Sequence, residues 1–168
     1  YFTALEGGLR APCLIRWPGK IPAGEVSNQI VHIVDLFPTL ANMAGVDAPT
    51  DRPIDGVDQS DFLLGKSEES EREGFAIFVG ETLYGAKWRN WKAHLVWQET
   101  KFSTQQPFST VPKLVDLITD PREERNVAEP YNTWLQYPIM KLILGFQRSM
   151  MEHPNVPVGA PDSYSPPN

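Results

Sequence analysis

A single cysteine in 168 residues excludes an intrachain disulfide and any zinc site built from clustered thiolates. Histidine is nearly as scarce. His32, His94 and His153 stand far apart, and none has a metal-type spacing to a second ligand. Positive charge is in the minority as well, fifteen Lys and Arg against twenty-one Asp and Glu, for a net charge of −6. The basic residues are scattered, which excludes a nucleic-acid partner, because neutralising phosphates needs a concentrated excess of Lys and Arg. No apolar run approaches the roughly 18 residues that cross a bilayer, so no membrane span is expected. The first residues, Tyr1-Phe2-Thr3-Ala4-Leu5-Glu6, contain neither an initiator Met nor a signal-peptide pattern, and the expectation is of a piece cut from a longer chain.

What is present is apolar and aromatic: 41% of residues are hydrophobic, with five Trp, five Tyr and eight Phe. That is enough for one globular domain with its own core. Pro12 and Cys13-Leu14-Ile15, closed by Trp17-Pro18-Gly19, read as a strand over 12–17. A second extended run, 26–34, leads to Asp35. This residue can cap a helix over 36–44, with Pro38 in its first turn, Gly45 at its end and Leu36, Leu40 and Met43 on one face. Residues 47–72 are rich in Asp, Glu, Ser, Pro and Gly and read as a connection.

Beyond it, 75–79 and 111–117 read as strands. From Trp91, apolar residues alternate with Lys92 and His94, which predicts a half-buried strand with Trp91, Ala93 and Leu95 inward and Lys92 and His94 outward. Ile139, Leu142, Ile143, Phe146 and Met150 recur at helical spacing after Pro138, so a helix should cover the sheet. Met140, Met150 and Met151, with Trp134 and Tyr137, read as part of its core rather than as an interaction surface. The Pro-rich tail 154–168 is expected to be extended. The fold class is α+β: a small antiparallel sheet of about four strands under a C-terminal helix, preceded by a strand and a helix. The segments are 1–46, a connection 47–74, a sheet subdomain 75–153 and the tail.

Function comes from a resemblance. Glu6-Gly7-Gly8-Leu9-Arg10-Ala11-Pro12 followed by Ile15-Arg16-Trp17-Pro18-Gly19, then Asp35-Leu36-Phe37-Pro38-Thr39, resembles the type I sulfatase pattern of an acidic-Gly-Gly loop, a strand ending in Trp-Pro-Gly and an Asp-x-x-Pro-Thr helix. Ile54-Asp55-Gly56-Val57-Asp58, Trp91-Lys92 and Leu114-Val115-Asp116-Leu117 through Asp120-Pro121 to Asn126 are similar to the C-terminal sulfatase subdomain, in the same order. The resemblance implies a parent of the alkaline-phosphatase-like superfamily that hydrolyses sulfate esters, with a formylglycine nucleophile and a calcium ion, both upstream. It also implies a partner, the N-terminal sulfatase domain, and a periplasmic or secreted location.

Cys13 cannot supply the formylglycine, since the Arg required four places on is Trp17. The family's sulfate-contacting Lys stands five residues before the acidic position, where this chain has Tyr1. No catalytic residue and no metal ligand is therefore expected here, and the fragment alone should be inactive. Gly7 and Gly8 read either as a plain tight turn or, given the resemblance, as a substrate-binding loop that meets the anion through backbone N–H groups. Arg10 either steers that anion or is tied to Glu6. Asp35 and Asp120 are explained as cap and turn former; Asp55, Asp58 and Asp116 read as solvated or turn positions. Alternatives are a phosphodiesterase or phosphonate hydrolase of the same superfamily, and a non-catalytic binding or assembly module. Apolar faces in the first third that have no partner in this chain would favour self-association of the isolated fragment.

Overall fold

The structure, a computed structural model, describes residues 2–51, 53–108, 111–128, 132–154 and 159–160. Tyr1 and most of the expected extended tail lie outside the described residues. The chain runs α1 (Glu6–Leu9), α2 (Leu36–Met43), α3 (Ser60–Leu63), β1 (Gly74–Val79), β2 (Thr82–Trp88), β3 (Trp91–His94), β4 (Val96–Trp97), β5 (Gln106–Pro107), β6 (Lys113–Asp116) and α4 (Gln136–Glu152). Strands β1, β2, β3 and β6 form one antiparallel sheet in that order, and β4 and β5 pair separately. The α+β class with a four-stranded sheet and a C-terminal helix is what the sequence led us to expect.

One face of the sheet carries Ala86, Ala93 and Leu114 directly opposite one another in the ladder. Leu135, Ile139 and Ile143 from α4 and the turn before it close over them, making the main core. Small alanines on the strands let the helix approach closely. Gly74 has the same effect on β1, where a Cβ would overlap Leu142 of α4 and the Lys87 carbonyl. Trp88 and Trp91 extend this core and meet Trp134 edge-on, at 6.3 and 5.9 Å between ring centroids.

A bulge gives the second face its own core. Ile77 pairs with Gly85 but Phe78 with Leu83, so Tyr84 is the extra residue and turns to the side away from α4. There it is buried with Ile77 and Ala4, and its hydroxyl donates to Gln98 Oε1 at 2.9 Å.

Four expectations are corrected. Residues 12–17 form no strand and are exposed; none of the described residues supplies a ladder for them. Helix α2 forms where expected and ends at Gly45 in the left-handed region, φ +74°, but it buries Thr39 while Leu40 is 59% exposed. Asp35 makes no side-chain bond to the α2 amides. Lastly, Tyr137, Met140, Met150 and Met151 lie on the outer side of α4, Met151 being 77% exposed, and Trp134, although it meets Trp88 and Trp91, is itself half exposed. The sheet is narrow enough that Ile139, Leu142, Ile143 and Phe146 cover it, and the remaining apolar positions of the helix point away.

Candidate functional site

Lys92 and His94 reverse the register expectation most sharply: the two side chains are 0% and 1% exposed. Alternation along β3 does place Ala93 on the α4 side and Lys92 and His94 on the other. That other face, however, is not solvated. The segment around α1 and the turn carrying Glu123 lie over it and bring two carboxylates with them.

The register explains why carboxylates are needed. Lys87 and Lys92 are direct partners across the β2–β3 ladder, and like charges in that position repel. Glu6 divides its carboxylate between them, Oε2 taking Lys87 Nζ at 2.9 Å and Oε1 taking Lys92 Nζ at 3.1 Å. Lys92 also reaches Glu123 Oε2 at 3.0 Å. His94 Nε2 meets the same oxygen at 2.7 Å, and Glu123 Oε1 accepts the backbone N–H of Glu6 at 2.5 Å. Glu123 is buried and has φ +62°, a left-handed conformation that costs a non-glycine residue about 1–2 kcal/mol. Lys113 anchors it there by donating to its carbonyl oxygen at 2.5 Å while lying over the Trp97 ring at 3.4 Å.

Burial pushes the Glu123 carboxyl up, but His94, Lys92 and the Glu6 N–H outweigh it and hold the group below its ordinary value. Glu123 is therefore a carboxylate. For His94, burial pushes the imidazole down, with Lys92 and Lys113 adding to the effect and Glu123 opposing it. A neutral imidazole beside an acceptor-only carboxylate must carry its proton on Nε2.

The sequence-predicted site residues sit on the outside of this network. Gly7 and Gly8 are exposed on α1. The Gly8 N–H is committed to the Leu5 carbonyl at 2.8 Å, so contact with an anion would fall to Gly7 and Arg10. Arg10 is not tied to Glu6, whose oxygens are taken; its guanidinium is exposed and donates to Asn28 Oδ1 at 3.3 Å. Cys13 is exposed and free. Among the described residues no group of three His, Cys, Asp or Glu side chains could hold a metal ion, and no helix is long and apolar enough to cross a membrane.

A second clamp fixes α2. Asp35, expected as a helix cap, is buried and accepts from Arg72 Nε at 2.9 and 3.0 Å, from Val57 N–H at 2.9 Å and from His32 N–H at 2.8 Å. Burial alone would raise this carboxyl; those bonds keep it below its ordinary value. Gly56 is required here, because a Cβ would overlap the Val34 carbonyl.

Sequence reasoning missed Lys87, Lys92, His94, Lys113 and Glu123, and treated Glu6 as a marker and as a partner for Arg10. The available signal was that a two-residue turn, Arg89-Asn90, places Lys87 opposite Lys92, which calls for an anion between them.

Comparisons with known proteins agree with this architecture. The family model for the C-terminal region of N-sulphoglucosamine sulphohydrolase matches residues 3–144. Steryl-sulfatase of Mus musculus is 35% identical over 150 residues, covering 74% of this chain and 24% of that protein. N-acetylgalactosamine-6-sulfatase of Sus scrofa is 44% identical over 92 residues, covering 55% of this chain and 17% of that protein. Among solved structures, the PsFucS1 sulfatase from Pseudoalteromonas sp. aligns with a TM-score of 0.75 and 26% identity, over 83% of this chain and 30% of that one. The chain spans about a quarter or less of the length of these curated relatives. With the match running through the Glu6 turn and the four-stranded sheet and into α4, this chain belongs to the N-sulphoglucosamine sulphohydrolase C-terminal family, a C-terminal domain of sulfatases.

Proposed function

We propose that this chain works as the C-terminal part of a sulfuric ester hydrolase, completing its core and forming one wall of its active-site pocket, with Gly7, Gly8 and Arg10 at the substrate edge. The observation that carries this reading is the contrast within one short turn. Glu6 is gripped by three polar groups inside the domain, Lys87, Lys92 and the Glu123 carboxylate, while Gly7, Gly8 and Arg10 beside it are exposed.

The nucleophile belongs to the upstream part. Cys13, the one cysteine of the sequence, lacks the motif that formylglycine formation needs. Calcium does not fit the described residues either, since their acids form no ligand set; in this reading it is assigned, with formylglycine, to the N-terminal domain. That domain is the partner in this reading, and the exposed Trp17, Ile33, Phe37 and Leu40 are the surface offered to it. The resemblance supports a parent in the periplasm or outside the cell.

Two assays test the proposal. This chain alone should hydrolyse no p-nitrocatechol sulfate, with or without calcium. The protein joined to its upstream region should do so, with Arg10→Ala raising KM. Turnover by the isolated chain, or a joined protein that cleaves only phosphodiesters or phosphonates, overturns it.

A further inference from the structure

We propose that Lys92 and Glu123 are positioning residues: through Glu6 they fix the turn Glu6–Leu9 at one place and in one orientation on the sheet, and so set the substrate edge from inside the domain. This inference rests on the function proposed above and adds the residues that act behind its site.

The argument starts with what the turn cannot do for itself. Four residues make a single helical turn, and an isolated turn of that length does not hold its shape in water. Its own sequence offers little anchoring: Gly7 has no side chain, and a Cβ there would meet nothing within 4 Å. Among the described residues the Arg10 guanidinium bonds to Asn28 alone, at 3.3 Å. Apart from Ala4 and Leu9, which pack beside Ile77 and Tyr84, the order must come from Glu6.

The grip on Glu6 is of a kind that sets direction as well as place. Its carboxylate is taken from two sides, by Lys87 and Lys92, while its main-chain N–H is taken by Glu123 Oε1. Side chain and backbone of one residue are thereby fixed together. The receiving groups are themselves prepared. Lys92 bridges the two carboxylates, His94 and Lys113 orient Glu123, and the Glu123 backbone stays left-handed with its N–H on the Asp120 carbonyl at 3.1 Å. Gly7 and Gly8 are one and two residues from this anchor, so slack in the network moves them directly.

Hydrogen exchange on the chain as it stands, followed by kinetics on the protein joined to its upstream region, tests the proposal. In Lys92→Met and Glu6→Gln the amides of Gly8 and Arg10, which bond within the turn, should lose protection by about tenfold while Ile139 and Ile143 in α4 keep theirs. In the joined protein kcat per folded molecule should fall about tenfold to a hundredfold, as a displacement near 1 Å does, and Lys92→Arg should restore most of it. If Lys92→Met does not fold, Glu6→Gln and Lys92→Arg carry the test. Loss of protection spread evenly over the domain would make the network a core feature and overturn the proposal. So would local loss with unchanged kcat per folded molecule. A joined wild-type protein with no ester hydrolysis at all would sink the function proposed above, and this inference with it, whereas an active one that tolerates the variants sinks this inference alone.

Discussion

Lys87 and Lys92 face each other across the β2–β3 ladder, and both ammonium groups end on the one carboxylate of Glu6, at 2.9 and 3.1 Å. The strands place two like charges together, and a residue more than eighty positions away in sequence supplies the anion between them. Removing that anion strips the largely buried Lys87 of its counter-charge and leaves the buried Lys92 with Glu123 alone, the two like charges still facing each other. Glu6→Ala should therefore destabilise the domain by about 3–5 kcal/mol. Glu6→Gln, which keeps an acceptor and the N–H bond to Glu123, should cost less. Urea unfolding of the two variants checks the order; equal and small losses would show that the pair of lysines does not depend on Glu6.

Stability should fall on mild acidification, because three buried groups bind protons less readily in the folded chain than in the unfolded one. Glu123 and Asp35 have carboxyls that burial raises but their partners hold below 4.5 and 3.8. Their contribution is whole above those values and is lost as pH drops through the folded ones. His94, driven below 6.5 mainly by burial, behaves alike in a higher window: below 6.5 the unfolded chain takes up a proton that the folded chain refuses. The slope is about 1.4 kcal/mol per pH unit for each proton. His32, also lowered by burial and Arg72, adds to it. His94→Gln retains a donor toward Glu123 and should flatten the loss that begins below about pH 6.5 without removing the carboxylate-driven loss at lower pH. An unchanged pH profile would show that His94 is not the first group to respond.

Arg72 is the counter-charge of Asp35, and the pair joins α2 to the chain entering β1. Arg72→Met should cost about 3–5 kcal/mol, the penalty for stranding a buried carboxylate. The double change Asp35→Asn with Arg72→Met should cost less than the single one, because the stranded charge is then gone. A double-mutant cycle from thermal unfolding measures the coupling, and strict additivity would contradict the buried geometry.

The sheet and α4 were legible in the sequence because they follow local rules. Ile139, Ile143 and Phe146 repeat at helical spacing, and Trp91, Ala93 and Lys92 alternate. The second covered face was not legible, because alternation tells which residues share a face but not what lies over it. Lys92 was read as solvated, as a lysine on a strand usually is, and the groups that bury it, Glu6 and Glu123, are brought in from distant positions by the fold. Residues 12–17 failed in the opposite way: Leu14 and Ile15 have strand character, yet a strand needs a ladder, and none of the described residues supplies one.

That unpaired segment leads to the last expectation. Leu14 is 97% exposed, and Ile33, Phe37 and Leu40 stand exposed on α2 and the turn before it. A few hundred Å2 of such surface is worth several kcal/mol at about 25 cal/mol per Å2, comparable to the whole stability of a small domain. Nothing among the described residues covers it. In a protein that includes the upstream region, these side chains should be buried against it, and the protein should run as one species. Expressed as this sequence alone, the chain should self-associate through the same surface. The double variant Phe37→Asp with Leu40→Asp should disperse the assembly without lowering the unfolding temperature, since both side chains are exposed in the single chain and contribute little to its core. Light scattering across a concentration series reads the assembly, and thermal unfolding reads the core. A wild-type chain that stays an 18.9 kDa monomer at high concentration would show that the exposed apolar face needs no cover.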